Sequence, residues 1–257
     1  MLALERQRRI VEMIVGQRSV RTTELAQAFG VTEETIRRDF ERLEADGQLS
    51  RTHGGAYRDD ANRRDIPSSS RETMNVSEKQ MIARCAVGEI EAGDTIFLDA
   101  SSTTLALARL LPELPLTIMT NALKVAVELA NRPQFQIIMM GGTLNERSLS
   151  CLGPLSEQAL ECYHVQKAFI SCRGVDAVRG LSEANDEQAR LKRKIINLSE
   201  KTYLLADHSK LPLKSSFFFA QLGEVDALIT DRSPAEEIST AARSSGVKVL
   251  VASEEVL

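Results

Sequence analysis

From Ser77 onward, short apolar runs alternate with longer amphipathic stretches, and this pattern narrows the possible folds more than any other feature. Thr95–Leu98, Leu116–Met119 and Phe135–Met140 read as strands, with further strands at 166–171, 202–206, 226–230 and 247–251. Between them, helical periodicity covers Glu78–Ile90, Thr103–Leu111 and Ala122–Ala130, then about 154–162, 186–199 and 234–244. Strands separated by helices cannot pair as hairpins. They form a parallel sheet covered on both faces, so residues 77–257 are expected to be a Rossmann-like α/β domain.

Residues 1–58 follow another pattern. Leu4, Ile10, Met13 and Ile14 fall near one face of a helix over 4–16, ended by Gly16. Thr22 or Thr23 is placed to cap a short helix, Glu24 to Phe29, which Gly30 stops. Thr32 caps a third helix, with Glu33 and Glu34 favouring its start through the macrodipole. Ile36, Phe40 and Leu43 form its buried stripe and Asp46-Gly47 its end. Gln48 to Arg58 reads as a hairpin with Gly54-Gly55 at or near the turn. Three short helices and a hairpin make a winged helix-turn-helix, with Ala28–Thr32 as the tight turn. Residues 59–76 are polar, with Pro67 and three serines, and read as a linker or extended arm.

Charge supports this division. The whole chain carries −4, but residues 1–58 hold ten arginines against nine acids, whereas 59–257 hold 22 basic residues against 27 acids. A near-neutral, arginine-bearing module attached to an acidic body makes the net charge a poor guide to nucleic-acid binding. Aromatics are 4% of residues with no Trp, which argues against stacked aromatic platforms for single strands or carbohydrate. Cys85, Cys151, Cys162 and Cys172 form no CxxC pair, and three scattered histidines complete no zinc site. The thiols read as reduced and cytosolic. Apolar runs are too short to span a membrane and no secretion signal is read, so a cytoplasmic protein without membrane partner, metal, cofactor or catalytic residue is expected.

In the third helix, Arg37 and Arg38 lie opposite the apolar stripe, and Thr32, Glu33, Glu34 and Thr35 stand at its N-terminus. Arginine can read guanine bidentately, Thr can contact a thymine methyl or a phosphate, and helix-start amides can hold phosphate. Arg51, His53, Gly54 and Gly55 would form the wing beside the groove. A solvated Arg-Arg face would explain the helix alone; turn, wing and position together favour DNA binding. Val31-Thr32-Glu33-Glu34-Thr35-Ile36-Arg37-Arg38-Asp39, followed by Leu43, Gly47, Leu49, Arg51 and His53-Gly54-Gly55-Ala56, resembles the DNA-binding signature of the DeoR family of bacterial transcriptional regulators. The resemblance runs over almost the whole chain. It implies a repressor of a sugar-catabolic operon, released from double-stranded operator DNA by a phosphorylated sugar.

In the second domain, Asp99-Ala100-Ser101-Ser102-Thr103-Thr104 joins a strand end to a helix start, where amides and hydroxyls can cradle a phosphate. By chemistry alone, a helix cap with surplus hydroxyls explains the run equally well. Asn121, Gly141-Gly142, Ser171–Asp176 and Asp207–Lys210 follow other strands toward the same edge. There Gly141-Gly142 would allow close ligand approach, Gly174 would line the effector site, Asp99, Asn121 and Asp176 would hold sugar hydroxyls, and Lys210 would meet the phosphate. His164 and His208 read as ordinary surface or hydrogen-bonded residues, with His208 beside the pocket, and Cys172 as a small buried thiol. Glu183 and Glu187 fit either pocket or surface. Lys192-Arg193-Lys194 reads as a solvated helix face or subunit contact rather than a second DNA site. The family's effector domain is similar to the ribose-5-phosphate isomerase fold, which implies a sugar-phosphate sensor with the Ser101–Thr104 loop as its cradle. Many members carry Glu four residues before the Lys of that run; here Gln188 precedes Lys192, which leaves effector preference open.

A homodimer or homotetramer is expected, because one module of this size makes few base contacts. Two alternatives remain at this level: a sugar-phosphate isomerase-like enzyme with an appended DNA module, and an activator instead of a repressor.

Overall fold

The computed structural model describes residues 3–17, 19–45, 49–52, 54–57 and 65–253. The chain divides into two compact units, Met1–Pro67 and Ser68–Leu257.

The first unit runs α1 (Ala3–Gln17), β1 (Ser19–Arg21), α2 (Thr22–Phe29), α3 (Glu33–Ala45), β2 (Ser50–Thr52) and β3 (Gly55–Tyr57). Its strands form an antiparallel sheet in the order β1-β3-β2. Ile10, Ile14, Leu25, Ile36, Phe40, Leu43 and Leu49 fill the core. Leu4 is instead 82% exposed. Six residues before Ile10 is roughly 240° around a helix, off the buried face. α1 also runs through Gly16 to Gln17. Neither Thr22 nor Thr23 caps α2, which starts at Thr22 directly from β1 with Arg21 as N-cap. The Thr22 amide donates to the Gly54 carbonyl at 3.0 Å, so the wing supplies an acceptor that a side chain was expected to provide. Gly30 ends α2 with φ 65°, the left-handed conformation glycine tolerates. Asp46-Gly47 and His53 lie outside the described residues.

The second unit runs α4 (Ser68–Thr73), α5 (Val76–Val87), β4 (Thr95–Leu98), α6 (Ser102–Leu110), β5 (Leu116–Thr120), α7 (Leu123–Leu129) and β6 (Phe135–Met139). It continues with β7 (Thr143–Asn145), β8 (Ser150–Leu152), α8 (Pro154–Glu161), β9 (Val165–Ile170), β10 (Gly174–Asp176), β11 (Gly180–Glu183) and α9 (Asp186–Leu198). Last come β12 (Ser199–Leu205), β13 (Phe217–Ala220), β14 (Ala227–Thr230), α10 (Glu236–Ser244) and β15 (Lys248–Val251). The seven expected strands form one sheet in the order β15-β14-β12-β9-β4-β5-β6, every pair parallel. Ile96 and Leu98 pack into the core shared with α5, α6 and α7, and Phe97 into the opposite core with α9 and α10. Burial on both faces explains why β4 is a continuous apolar run. Strand order reverses between β4 and β9, and a doubly wound sheet opens a crevice at such a point.

Three elements were not anticipated. β7 and β8 form a hairpin, and β10, β11 and β13 form a small antiparallel sheet. The segment read as linker over 59–76 contains α4, and α5 begins before Ser77, at Val76. The Ser68 amide donates to the Arg147 carbonyl at 2.7 Å, and Glu72 pairs with Lys124 and Arg109. The Ser68 amide and the Glu72 side chain thus hold α4 on the rest of the second unit.

Candidate DNA interface and effector site

On α3, Thr32 Oγ1 accepts the Thr35 amide at 3.3 Å and shares a 2.9 Å contact with the Thr35 hydroxyl. Ile36, Phe40 and Leu43 face inward, leaving Arg37 and Arg38 exposed. Asp39 is buried on the inner face, holding Arg6 at 2.5 Å and Gln7 at 2.8 Å, and so fixes α1 against α3. The outward arginines are balanced by their own helix: Arg37 reaches Glu33 at 3.0 Å and Arg38 reaches Glu34 at 3.3 Å. Arg51 binds Glu44 through its amide at 2.9 Å and its Nε at 2.7 Å, and Glu41 at 2.8 Å. The Glu44 hydrogen bond raises its pKa above the ordinary arginine value. Glu41 and Glu44 were missed because they join α3 to β2 only in three dimensions. Gly54 is exposed at the wing turn. Gly55 is buried: a Cβ there would sit 2.1 Å from the Val20 carbonyl oxygen, so its glycine serves β1–β3 packing.

In the second unit the reversal between β4 and β9 is occupied by charge. Asp99, just past β4, accepts the Ser171 amide from just past β9 at 2.9 Å. Lys192 Nζ lies 3.0 Å from Asp99 Oδ2 and 2.5 Å from Glu183 Oε1, and donates to the Ser171 carbonyl at 2.7 Å. Lys210 Nζ donates to Ser171 Oγ at 2.6 Å. Burial would raise the Asp99 carboxyl, but Lys192 and the Ser171 amide hold it below its usual value. Burial would likewise lower the Lys192 ammonium, yet Asp99 and Glu183 hold it above the usual lysine range. Asp207, also buried, is kept below the carboxylate range chiefly by Lys210. Cys172 sits among these groups, its thiol pushed up to about 12 by burial.

Lys192 was therefore misplaced by the reading of its run as a solvated face. Successive helical residues turn by roughly 100°. Lys192 falls on the buried stripe with Gln188, Leu191 and Ile195, while Arg193 and Lys194 pair outward with Glu224 and Glu161. The signal was present as a lysine at i+4 from Gln188 and i−4 from Ile196. Gln188 itself donates to Ser150 Oγ at 2.9 Å.

The hydroxyl loop is partly committed to its helix. Ser101 Oγ accepts the Thr104 amide at 3.0 Å, and Thr104 Oγ1 donates to the Asp99 carbonyl at 2.7 Å. Ser102 is half-buried, and the buried Thr103 Oγ1 has no hydrogen-bond partner. Asn121 is buried, its amide on the Cys151 carbonyl at 3.2 Å and its Oδ1 without partner. Ser101 and Thr104 bond Asp99, which Ser171 links to Lys210, while three other expected residues make different contacts. A Cβ at Gly142 would lie 2.5 Å from the Leu152 carbonyl oxygen, and one at Gly174 would lie 2.4 Å from that of Leu213. The protein's own backbone requires the missing side chain at both glycines. Asp176 accepts the Val178 and Arg179 amides and meets Lys214 at 3.0 Å, so it closes the β10–β11 turn. His208 Nδ1 rests on Asp231 at 2.8 Å. Among the described residues no acid, His and Cys group is placed to hold a metal ion, and no helix is long and apolar enough to cross a membrane.

A winged unit that presents arginines from a recognition helix, followed by a sheet whose strand ends are charged and polar, defines a DNA-binding regulator with a small-molecule sensor. The chain matches the DeoR-like helix-turn-helix domain over residues 6–62 and the DeoR C terminal sensor domain over residues 74–232. It belongs to the DeoR family of transcriptional regulators. It is 47% identical over 231 residues to the uncharacterized HTH-type transcriptional regulator YulB of Bacillus subtilis, covering 90% of each chain. It is 35% identical to the L-fucose operon activator of Haemophilus influenzae (87% of this chain, 90% of that one). It is 33% identical to the HTH-type transcriptional repressor GlcR of B. subtilis (96% and 95%). Among solved structures, it is similar to ribose 5-phosphate isomerase A of Methanocaldococcus jannaschii, with TM-score 0.41 and 18% identity over 53% of this chain and 55% of that one. Family membership places the chain among regulators, not enzymes.

Proposed function

We propose that the chain represses a carbohydrate-catabolic operon in the cytoplasm as a homodimer or homotetramer, and leaves its operator when a phosphorylated sugar occupies the β4/β9 crevice. The supporting observation is the cluster of charge at the strand ends. Asp99, Ser171, Lys192 and Lys210 form a fixed polar floor beside the start of α6, whose N-terminal dipole favours an anion. Residues 1–58 read the operator, 59–76 join the modules and 77–257 sense the effector and oligomerise. An effector that favours one conformation by differential affinity shifts the protein away from the DNA-bound form.

The test is fluorescence anisotropy on an operator selected from the surrounding genome, with sugar phosphates and free sugars added in parallel. Release by one phosphate and not by its free sugar is expected. DNA binding unaffected by every phosphate in a broad panel overturns the effector reading. A name such as L-fucose operon activator on a 35% identical relative favours activation as the second reading. A reporter downstream of the operator separates the two: deletion of the regulator raises expression for a repressor and lowers it for an activator.

A further inference from the structure

α9 turns Lys192 toward the strand-end charges, and its outward face borders a groove that the functional reading leaves unused. The groove, about 820 Å³ in volume, lies between α9 and β13. Phe217, 40% exposed, and Phe218 line one side, with the Arg179 guanidinium 3.8 Å from the centre of the Phe218 ring. Arg190, Arg193 and Asn197 line the other, and Arg193 donates to the Phe219 carbonyl at 3.2 Å. Among the described residues β13 pairs only with β11, so one edge of the small sheet has no strand partner. Leu155 and Val178, both exposed, stand next in sequence to this lining, two residues before Glu157 and one before Arg179. Single exposed apolar residues are ordinary; three around an arginine-rich groove mark a contact surface.

The charges say what covers it. Arg179, Arg190, Arg193 and Lys194 share the groove with Glu157, Asp186 and Glu224. Both signs in nearly equal number do not draw in a polyanion such as nucleic acid. Their order along α9 is uneven: Asp186 and Glu187 come first, Arg190, Arg193 and Lys194 later. A second α9 laid antiparallel brings acids onto bases at both ends, whereas a parallel one brings like onto like. Antiparallel is the relation that a two-fold axis crossing the helix imposes. These charges already pair within the chain, Arg190 with Asp186 at 2.9 Å and Arg193 with Glu224 at 2.5 Å. Solvated pairs of this kind exchange readily.

We propose that the α9–β13 groove is a subunit interface, closed across a two-fold axis by the same groove of a second copy, with the two α9 helices antiparallel. This rests on the proposed oligomeric state and names the surface that forms it. α9 then serves both sites. Lys192 holds the strand-end charges from its buried face, and Arg193, the next residue, faces the second copy.

The experiment measures the mass of the full-length chain by light scattering after size exclusion, over a range of concentrations. Asp186→Lys/Glu187→Lys puts bases at both ends of the outward face of α9, and Arg193→Glu/Lys194→Glu puts acids at both ends. Each double variant alone is expected to self-associate about 100-fold more weakly and to run at half the wild-type mass, because like charges then meet. An equimolar mixture of the two is expected to regain the wild-type mass. Phe217→Asp should also halve the mass, and Val127→Asp, an exposed apolar site on α7, should keep it. Melting temperature checks that each variant folds; if lysines in the first turn of α9 prevent folding, Phe217→Asp and Arg193→Glu carry the test. A wild-type oligomer whose mass survives all of these changes overturns the assignment, leaves the oligomeric reading standing and frees the groove for a different partner. Halved masses that the mixture does not restore overturn the antiparallel pairing. A wild-type chain that is monomeric at every concentration overturns both readings.

Discussion

Arg37 meets Glu33 at 3.0 Å on α3, and Lys192 meets Asp99 at 3.0 Å at the β4/β9 reversal. The distance is the same, but the side chains of the first pair are 55% and 45% exposed and those of the second 6% and 2%. A solvated pair contributes about 0–1 kcal/mol and is readily exchanged. Its members can turn to phosphates or base edges without stranding a charge. A buried pair has already lost its water, and removing one partner leaves the other uncompensated. The DNA unit thus carries charges that can be released, and the sensor carries charges fixed to one another at its strand ends. Distance alone does not separate these roles; burial does.

The strongest challenge to this contrast is Lys192→Met. It should cost about 3–5 kcal/mol in urea denaturation, because Asp99 and Glu183 remain buried without their cation. Arg37→Met should change stability by less than about 0.5 kcal/mol. Equal losses for the two would break the comparison, and recovery in Asp99→Asn/Lys192→Met would sharpen it. Next in size, Gly55→Ala should destabilise the first unit by about 1–3 kcal/mol, read from its thermal transition, because the new methyl meets the Val20 carbonyl. A neutral result there would return Gly55 to the DNA surface.

On DNA, Arg37→Met or Arg38→Met should cost about 1–3 kcal/mol of operator binding if the side chain reads a base. A uniform loss across all sequences, with a shallower salt dependence, would assign the residue to phosphate instead. The last effect concerns pH. Lys79, facing Lys210, Asp207, Arg71 and Glu78, titrates at about 8 when folded against 10.5 as a free side chain. Between these values the unfolded chain binds the extra proton, so stability should rise with pH across that window. Lys79→Met should flatten the rise; an unchanged slope would show that Lys79 is not its source.

Much of the fold was legible because local rules govern it. The seven apolar runs could only become parallel strands, and Ile36, Phe40 and Leu43 oriented the recognition helix by periodicity alone. Thr32 was readable as a cap because its partner, Thr35, is three residues away. The proposed effector site was only half legible. Asp99, Ser101, Thr104 and Lys210 follow strand ends, which topology brings to one edge. Glu183 reaches that edge from a small second sheet, which nothing in its local spacing announces, and Lys192 reaches it from the buried stripe of α9, which its spacing from Gln188 and Ile196 did signal.

The sequence by itself therefore determined the two kinds of domain, the seven strands of the main sheet, and the outward face of α3, all set by backbone propensity and hydrophobic period. Only the tertiary structure decided which charges are solvated and which are buried, that Gly142 and Gly174 make room for backbone, and that the stretch after Pro67 docks as a helix. Burial depends on contacts between residues far apart in the chain. The same lysine is a solvated charge or an enclosed counter-ion according to what folds over it.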